Sequence, residues 1–78
     1  MNKEKYNSIF VDLFGVDESE LGEDFTFGVA KGWDSFAHME LIAQLEDTFD
    51  IMLETDDIMH FGSYENGKRI LSKYGIVI

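Results

Sequence analysis

Gly32-Trp33-Asp34-Ser35-Phe36-Ala37-His38-Met39-Glu40-Leu41 is the stretch on which the reading of this chain turns. Asp34 suits a helix N-cap, because its short carboxylate can accept from a backbone N–H that the first turn leaves unpaired. From Ser35 to Phe49 no glycine or proline interrupts the pattern. At about 100° per residue, Leu41, Leu45, Phe49, Ile42 and Met39 form one broad apolar face, and Glu40, Gln44 and Asp47 the opposite one. Ser35 therefore opens a helix directly after a loop, with an exposed hydroxyl and the positive end of the helix dipole beneath it. That setting suits the attachment of a phosphate-linked group. Phe36 falls on the polar side, where an apolar side chain wants a use.

Outward from this helix the sequence is punctuated by glycine alone, since proline is absent. Lys3 to Phe14 reads as a first helix, with Tyr6, Ile9, Phe10 and Leu13 at helical spacing and Gly15 as its stop. Gly15 to Trp33 is a long connection. Asp17 and Glu20 have capping-box spacing for a short helical turn. Leu21, Phe25, Phe27 and Val29 are apolar enough to pin the loop to a core. After Asp50–Leu53, Thr55 is a candidate cap for a short helix over Asp56–Phe61. Ser63 caps a last one, with Tyr64, Gly67, Ile70, Leu71 and Tyr74 on or near its inner face and Gly75 as its end. Ile76-Val77-Ile78 is expected to fold back on the bundle. Met39, Met52 and Met59 join Leu45, Phe49 and Phe61 as candidate core. The sum is an all-α fold, a small four-helix bundle with three longer helices, one short one and a long loop between the first two.

Seventy-eight residues, 45% of them apolar, make a single domain over residues 1–78. At this size stability should be only a few kcal/mol, roughly 3–5. No cysteine is present, so neither a disulfide nor a thiolate-bound zinc can staple the fold. No secretory leader or membrane-spanning run is seen, and a cytoplasmic monomer is the expectation. The net charge is −10, and no lysine or arginine lies between Gly32 and Gly67. Nucleic acids and anionic membranes are poor partners for such a surface, and basic protein patches are good ones.

Three chemistries are open to Ser35: a nucleophile, a plain helix-start serine, or a modification site. A hydrolytic serine needs a general base and an oxyanion hole. The two histidines, His38 and His60, do not supply a base in register with Ser35, and no Gly-x-Ser-x-Gly elbow exists. No catalytic residue is assigned, and no metal site, for want of a His-x-x-x-His or cysteine pattern. His38 reads as a polar residue at the bundle rim, bonded to loop or water; its alternative is a titratable group near Ser35 that affects bundle opening. His60 reads as a surface or rim residue.

Asp34-Ser35-Phe36, Glu40-Leu41, Leu45-Glu46 and Phe49-Asp50-Ile51 together resemble the Asp-Ser-Leu helix of acyl carrier proteins. Phe14-Gly15-Val16, Phe27 and Gly32 extend the resemblance, which runs without gaps to about Tyr64. It implies a four-helix bundle whose serine, here Ser35, carries 4′-phosphopantetheine through a phosphodiester. A phosphopantetheinyl transferase would deliver the group from coenzyme A, and acyl groups would ride as thioesters on its thiol. Asp34 would help the transferase recognise the site. Phe36, Met39, Glu40, Ala43, Glu46 and Asp47 fall where that family's second helix meets partners, and Asp56 and Asp57 match acidic positions of its third. The partners implied are acyl-loading and acyl-consuming enzymes with basic docking patches; the chain itself would not be an enzyme.

The chain departs from the family pattern beside the serine. Phe36 stands where leucine is usual, and Lys31-Gly32-Trp33 replaces an acidic run, which suggests an altered surface beside the arm. The ending from Gly67 to Ile76 also differs from that of housekeeping fatty-acid carriers. A specialised stand-alone carrier is the resulting expectation. The alternatives are an aminoacyl or peptidyl carrier and, in a different class, a small acidic interaction module that does not need Ser35. A calcium-binding module fails for want of an Asp-x-Asp-x-Asp-Gly loop.

Overall fold

The structure, a computed structural model, describes residues 2–78. Its elements are α1 (Asn2–Phe14), a 3-10 turn (Glu18–Glu20), α2 (Ser35–Phe49), α3 (Thr55–His60) and α4 (Tyr64–Ser72). The four-helix bundle expected from the sequence is present. α1 presents Tyr6, Ile9 and Phe10 to the core and ends at Gly15, whose positive φ of 65° lets its N–H reach Val11 O at 2.9 Å. The Asp17–Glu20 capping box closes the 3-10 turn. α2 ends at Asp50, a left-handed residue (φ 54°) that donates its N–H to Glu46 O. Aspartate is one of the few residues with a side chain that visits this region readily.

Thr55 is the first residue of α3 rather than its cap. Glu54 occupies the N-cap without a side-chain bond. Its own N–H donates to the Tyr74 hydroxyl at 2.9 Å, a tertiary contact that pins the start of the helix. Ser63 does cap α4, accepting from Asn66 N–H at 2.9 Å. The tail folds back: Ile76 and Ile78 pack against the core, and Asn2 Nδ2 donates to Val77 O at 3.2 Å.

The long loop is pinned by fewer of its apolar residues than expected. Phe25 is buried and Leu21 packs against the core, whereas Phe27 and Val29 are exposed. Trp33 takes their place. It is 2% exposed, so it does not alter the surface beside Ser35 as the sequence suggested. Its ring packs at 5.7 Å from Phe10, 5.3 Å from Phe14 and 5.7 Å from Phe25, centroid to centroid. A two-bond bridge ties the same loop to the α3–α4 link: Phe27 N–H to Gly62 O at 2.8 Å and Tyr64 N–H to Phe25 O at 3.0 Å.

The methionines are also placed differently. Met39, Met52 and Met59 are exposed, and the interior is filled by aromatic rings with Leu41, Leu45, Leu53 and Leu71. Phe61 is buried and Phe49 partly so. Tyr6 reaches across the core to donate to Tyr64 O at 2.6 Å, and burial pushes its phenol well above the usual range. Tyr64 donates in turn to Asn7 Oδ1, and Asn7 Nδ2 donates to Glu18 Oε2 at 2.7 Å. Each buried polar group in this chain of contacts therefore has a partner, as burial demands.

Gly67 lets α4 close on α1 and on the link between α3 and α4. A Cβ there would stand 2.2 Å from the Tyr6 hydroxyl and 2.4 Å from Phe61 Cζ. Neither ring can retreat without disturbing the core. Gly67→Ala should therefore cost about 2 kcal/mol despite alanine's better helix propensity. Gly22→Ala, with open space around it, should change stability by less than about 0.5 kcal/mol. Urea denaturation followed by circular dichroism measures both.

Candidate functional site

Ser35 is exposed at the N-terminus of α2. Asp34 sets it there. Its extended backbone (φ −108°, ψ −173°) turns the chain into the helix, and its Oδ1 accepts from Ala37 N–H at 2.9 Å. Asp34 O accepts from His38 N–H at 2.8 Å, closing the first turn. Trp33, immediately before, is anchored in the core. The serine is thus an exposed group on a rigid mount.

Two surface grooves flank it. One, of about 420 Å³, runs along the loop and is lined by Gly28, Ala30, Gly32 and Asp34 as well as Ser35. The other, of about 370 Å³, lies between α2 and α3 and is lined by Phe27, His38, Met39, Ile58 and Met59 beside Ser35. The second is predominantly apolar and open to solvent, an apolar surface next to the Ser35 hydroxyl. The sequence reading did not find this groove. Its walls come from methionines assigned there to the core, and the pairing of α2 with α3 is a tertiary fact that periodicity does not carry.

His38 stands in that groove with both ring nitrogens engaged. Trp33 Nε1 donates to Nδ1 at 3.0 Å, and Nε2 lies 2.8 Å from Ile58 O. The imidazole is therefore committed to loop and α3 and is not a base for Ser35. His60 is exposed, with Nδ1 2.7 Å from Asp56 O. Among the described residues no group of three or more His, Asp or Glu side chains gathers to hold a metal ion. No helix among them is long and apolar enough to cross a membrane.

The residues singled out as an outward face separate into two groups. Phe36 (80% exposed), Met39 (58%), Glu40, Ala43 and Asp47 point to solvent on α2, and Asp56 does so on α3. Glu46 is half-buried and structural, its Oε2 accepting from Leu53 N–H at 2.9 Å. Asp57 is 8% exposed and turns inward. Its Oδ1 accepts from Lys73 Nζ at 2.6 Å and its Oδ2 from the Tyr74 hydroxyl at 2.5 Å. Asp57 is thus removed from the outward face: it ties the first turn of α3 to the end of α4.

These bonds hold the Asp57 carboxyl below the usual carboxylate range, with the Lys73 hydrogen bond as the largest cause and that of Tyr74 next. Lys73 is pushed up by the same bond. A carboxyl depressed in the fold binds its proton more readily when unfolded. Its stabilisation is complete above the unfolded value and is lost as pH falls through the folded one. Lys73, raised in the fold, stabilises at and below neutral pH and loses its contribution in strong alkali. Asp57→Asn should lower the melting temperature at pH 7. It should also flatten the acid limb of the stability curve between about pH 5 and pH 2, as measured by thermal denaturation across that range.

An exposed serine hydroxyl on a fixed helix end, uncovered and beside an apolar groove, fits a covalently attached arm. A family model described as a phosphopantetheine attachment site matches residues 8–66, from within α1 to the first turn of α4. The match spans most of the chain, and the protein belongs to that family, whose domains carry covalently attached 4′-phosphopantetheine.

Proposed function

We propose that Ser35 is the attachment residue and that the protein carries acyl groups between the enzymes of a dedicated pathway. The observation that carries this reading is the exposed Ser35 hydroxyl at the start of α2, inside the matched segment and beside an apolar groove. The arm, once attached, supplies a terminal thiol that holds cargo as a thioester, which this cysteine-free chain cannot do with its own side chains. Ser35 contributes the hydroxyl and Asp34 its presentation. Phe27, Met39, Ile58 and Met59 offer cargo an apolar surface, which favours acyl over aminoacyl groups.

The exposed face of α2 serves as the docking surface in this reading. Phe36 and Met39 supply an apolar centre, and Glu40 and Asp47 a charged rim. An apolar anchor within a polar rim is the usual anatomy of an energetic hot spot. Rim carboxylates speed encounter with basic patches more than they tighten the complex. Fast and weak docking suits a monomeric carrier that must leave each enzyme in turn. Its partners are then a phosphopantetheinyl transferase and acyl-loading and acyl-consuming enzymes, and its place the cytoplasm. The chain delivers substrate at high effective concentration rather than transforming it.

Co-expression with a broad-specificity phosphopantetheinyl transferase should add one 4′-phosphopantetheine by intact mass, and Ser35→Ala should abolish the addition. A wild-type chain left unmodified by several active transferases sinks the reading, as does modification that survives in Ser35→Ala. Phe36→Ala should weaken productive docking to the transferase about tenfold, or ~1.4 kcal/mol, with the fold intact. Glu40→Lys with Asp47→Lys should reduce the second-order rate constant and flatten its salt dependence. Initial rates of modification at several ionic strengths measure both.

A further inference from the structure

The imidazole of His38 is held by two partners of opposite character. An indole N–H only donates and a carbonyl only accepts. Trp33 Nε1–H at Nδ1 and Ile58 O at Nε2 therefore fix the tautomer: Nδ1 bare, Nε2 carrying the hydrogen. Both bonds exist together only in the neutral ring. A second proton, on Nδ1, would face the Trp33 N–H and leave that buried donor without an acceptor, a loss that costs its desolvation.

The partners belong to different elements. Trp33 ends the long loop, and Ile58 sits in α3, a helix of six residues that holds its place by tertiary contacts more than by its own hydrogen bonds. One ring on α2 thus joins loop, α2 and α3, one turn beyond Ser35 and in the wall of the apolar groove. We propose that His38 is a positioning residue: as the neutral Nε2–H imidazole it latches α3 and the Trp33 loop at a set spacing around Ser35, and protonation releases the Trp33 side of the latch. Only the bearing of this latch on an attached arm rests on the carrier reading; the latch itself does not.

The surroundings make this ring the switch. Phe27 meets it edge-on at 5.5 Å between centroids, and Ser35, Met39, Ile58, Met59 and Gly62 complete the groove. Among the described residues no charged side chain lines it. The charged and titratable groups on the adjoining elements are committed or turned to solvent. Asp34 bonds Ala37 N–H, Asp57 bonds Lys73 and Tyr74, and His60 Nδ1 meets Asp56 O. Lys31, Glu40 and Asp56 are exposed.

Trp33 is the only tryptophan, so its fluorescence reports the latch directly. The full chain is titrated from pH 8 to pH 5, with circular dichroism to confirm that it stays folded. Wild type should show one emission transition. His60→Gln should keep it. His38→Asn, whose amide oxygen can replace Nδ1 as the acceptor, should lose it while keeping the native emission of pH 8. Ser35→Ala, which cannot carry an arm at that position, should keep the transition, so failure of the latch and failure of the carrier reading are told apart. The imidazole 15N shifts of wild type at pH 8 should mark Nε2 as the protonated nitrogen. An Nδ1–H tautomer overturns the proposal without any substitution. So does a folded wild-type chain with no transition, or a transition that persists in His38→Asn.

Discussion

Phe10 is the contact on which the rest of the molecule depends. Its ring lies 4.9 Å from Tyr6, 5.3 Å from Tyr64, 5.9 Å from Phe25 and 5.7 Å from Trp33, centroid to centroid. Those neighbours come from α1, α4 and both ends of the segment that crosses from the loop to α2. Burying one phenylalanine ring contributes roughly 1.5–3 kcal/mol, and edge-to-face neighbours add to it. In a domain with only a few kcal/mol of net stability, one such hub outweighs any surface ion pair. It also converts a long irregular loop into a fixed approach to Ser35, because Phe25 and Trp33 are held against the same ring.

The exposed serine and the buried tryptophan are therefore one device. A hydroxyl at a frayed helix end would sample many positions. Here Trp33, two residues before Ser35, is anchored in the core, Asp34 caps the turn, and His38 ties that turn to α3. α3 is held at a second point by Asp57, through Lys73 and Tyr74. A six-residue helix contributes little cooperativity of its own, so these two side-chain anchors define where the outer wall of the groove stands. One of them weakens in acid through a carboxylate, and the other depends on a neutral imidazole.

The helices and their order were legible because most of them rest on local signals: the Asp34 and Ser63 caps, the Gly15 stop, and helical spacing in α1, α2 and α4; α4 itself ends at Ser72, with Lys73 as its C-cap, before Gly75 is reached. Ser35 was legible for the same reason, as was the exposure of Phe36. What local signals missed was partner choice. Trp33 lies in a loop, where periodicity says nothing, and its departure from the family's acidic run suggests a surface position that the structure does not give it. Met39 and Met59 were read as core because they are apolar, yet the aromatic rings already fill the interior and leave them as groove walls. Asp57 sits among acidic residues that face solvent, and only the arrival of Lys73 and Tyr74 from sixteen and seventeen residues away turns it inward. Thr55 has the hydroxyl of a cap, but α3 already starts at Thr55, with Glu54 at the N-cap.

The same comparison changes how the acidity of the chain is understood. A stretch without lysine or arginine from Gly32 to Gly67 suggests a uniformly negative docking face. Several of its carboxylates are engaged by the fold itself, however: Asp34 on an exposed helix cap, Glu46 on the Leu53 N–H, and Asp57 on Lys73 and Tyr74. Asp34 nonetheless stays exposed next to Ser35, and Glu40, Asp47 and Asp56 are exposed on the same two helices as Phe36, Met39 and the 72%-exposed Met59. In the proposed docking role, a face of that make-up would divide its labour. The remaining charges act over about a Debye length and govern how often a basic partner arrives. The apolar centre acts only on contact and governs how long it stays. Discrimination among basic partners must then come from the shape that Phe36 and the two methionines present, since a partner's charge alone does not distinguish one basic patch from another. Methionine suits that role because its unbranched, polarisable side chain adapts to surfaces of different shape. In that proposed role, Phe36, 80% exposed next to Ser35, is the bulky apolar group that a partner on this face would have to accommodate.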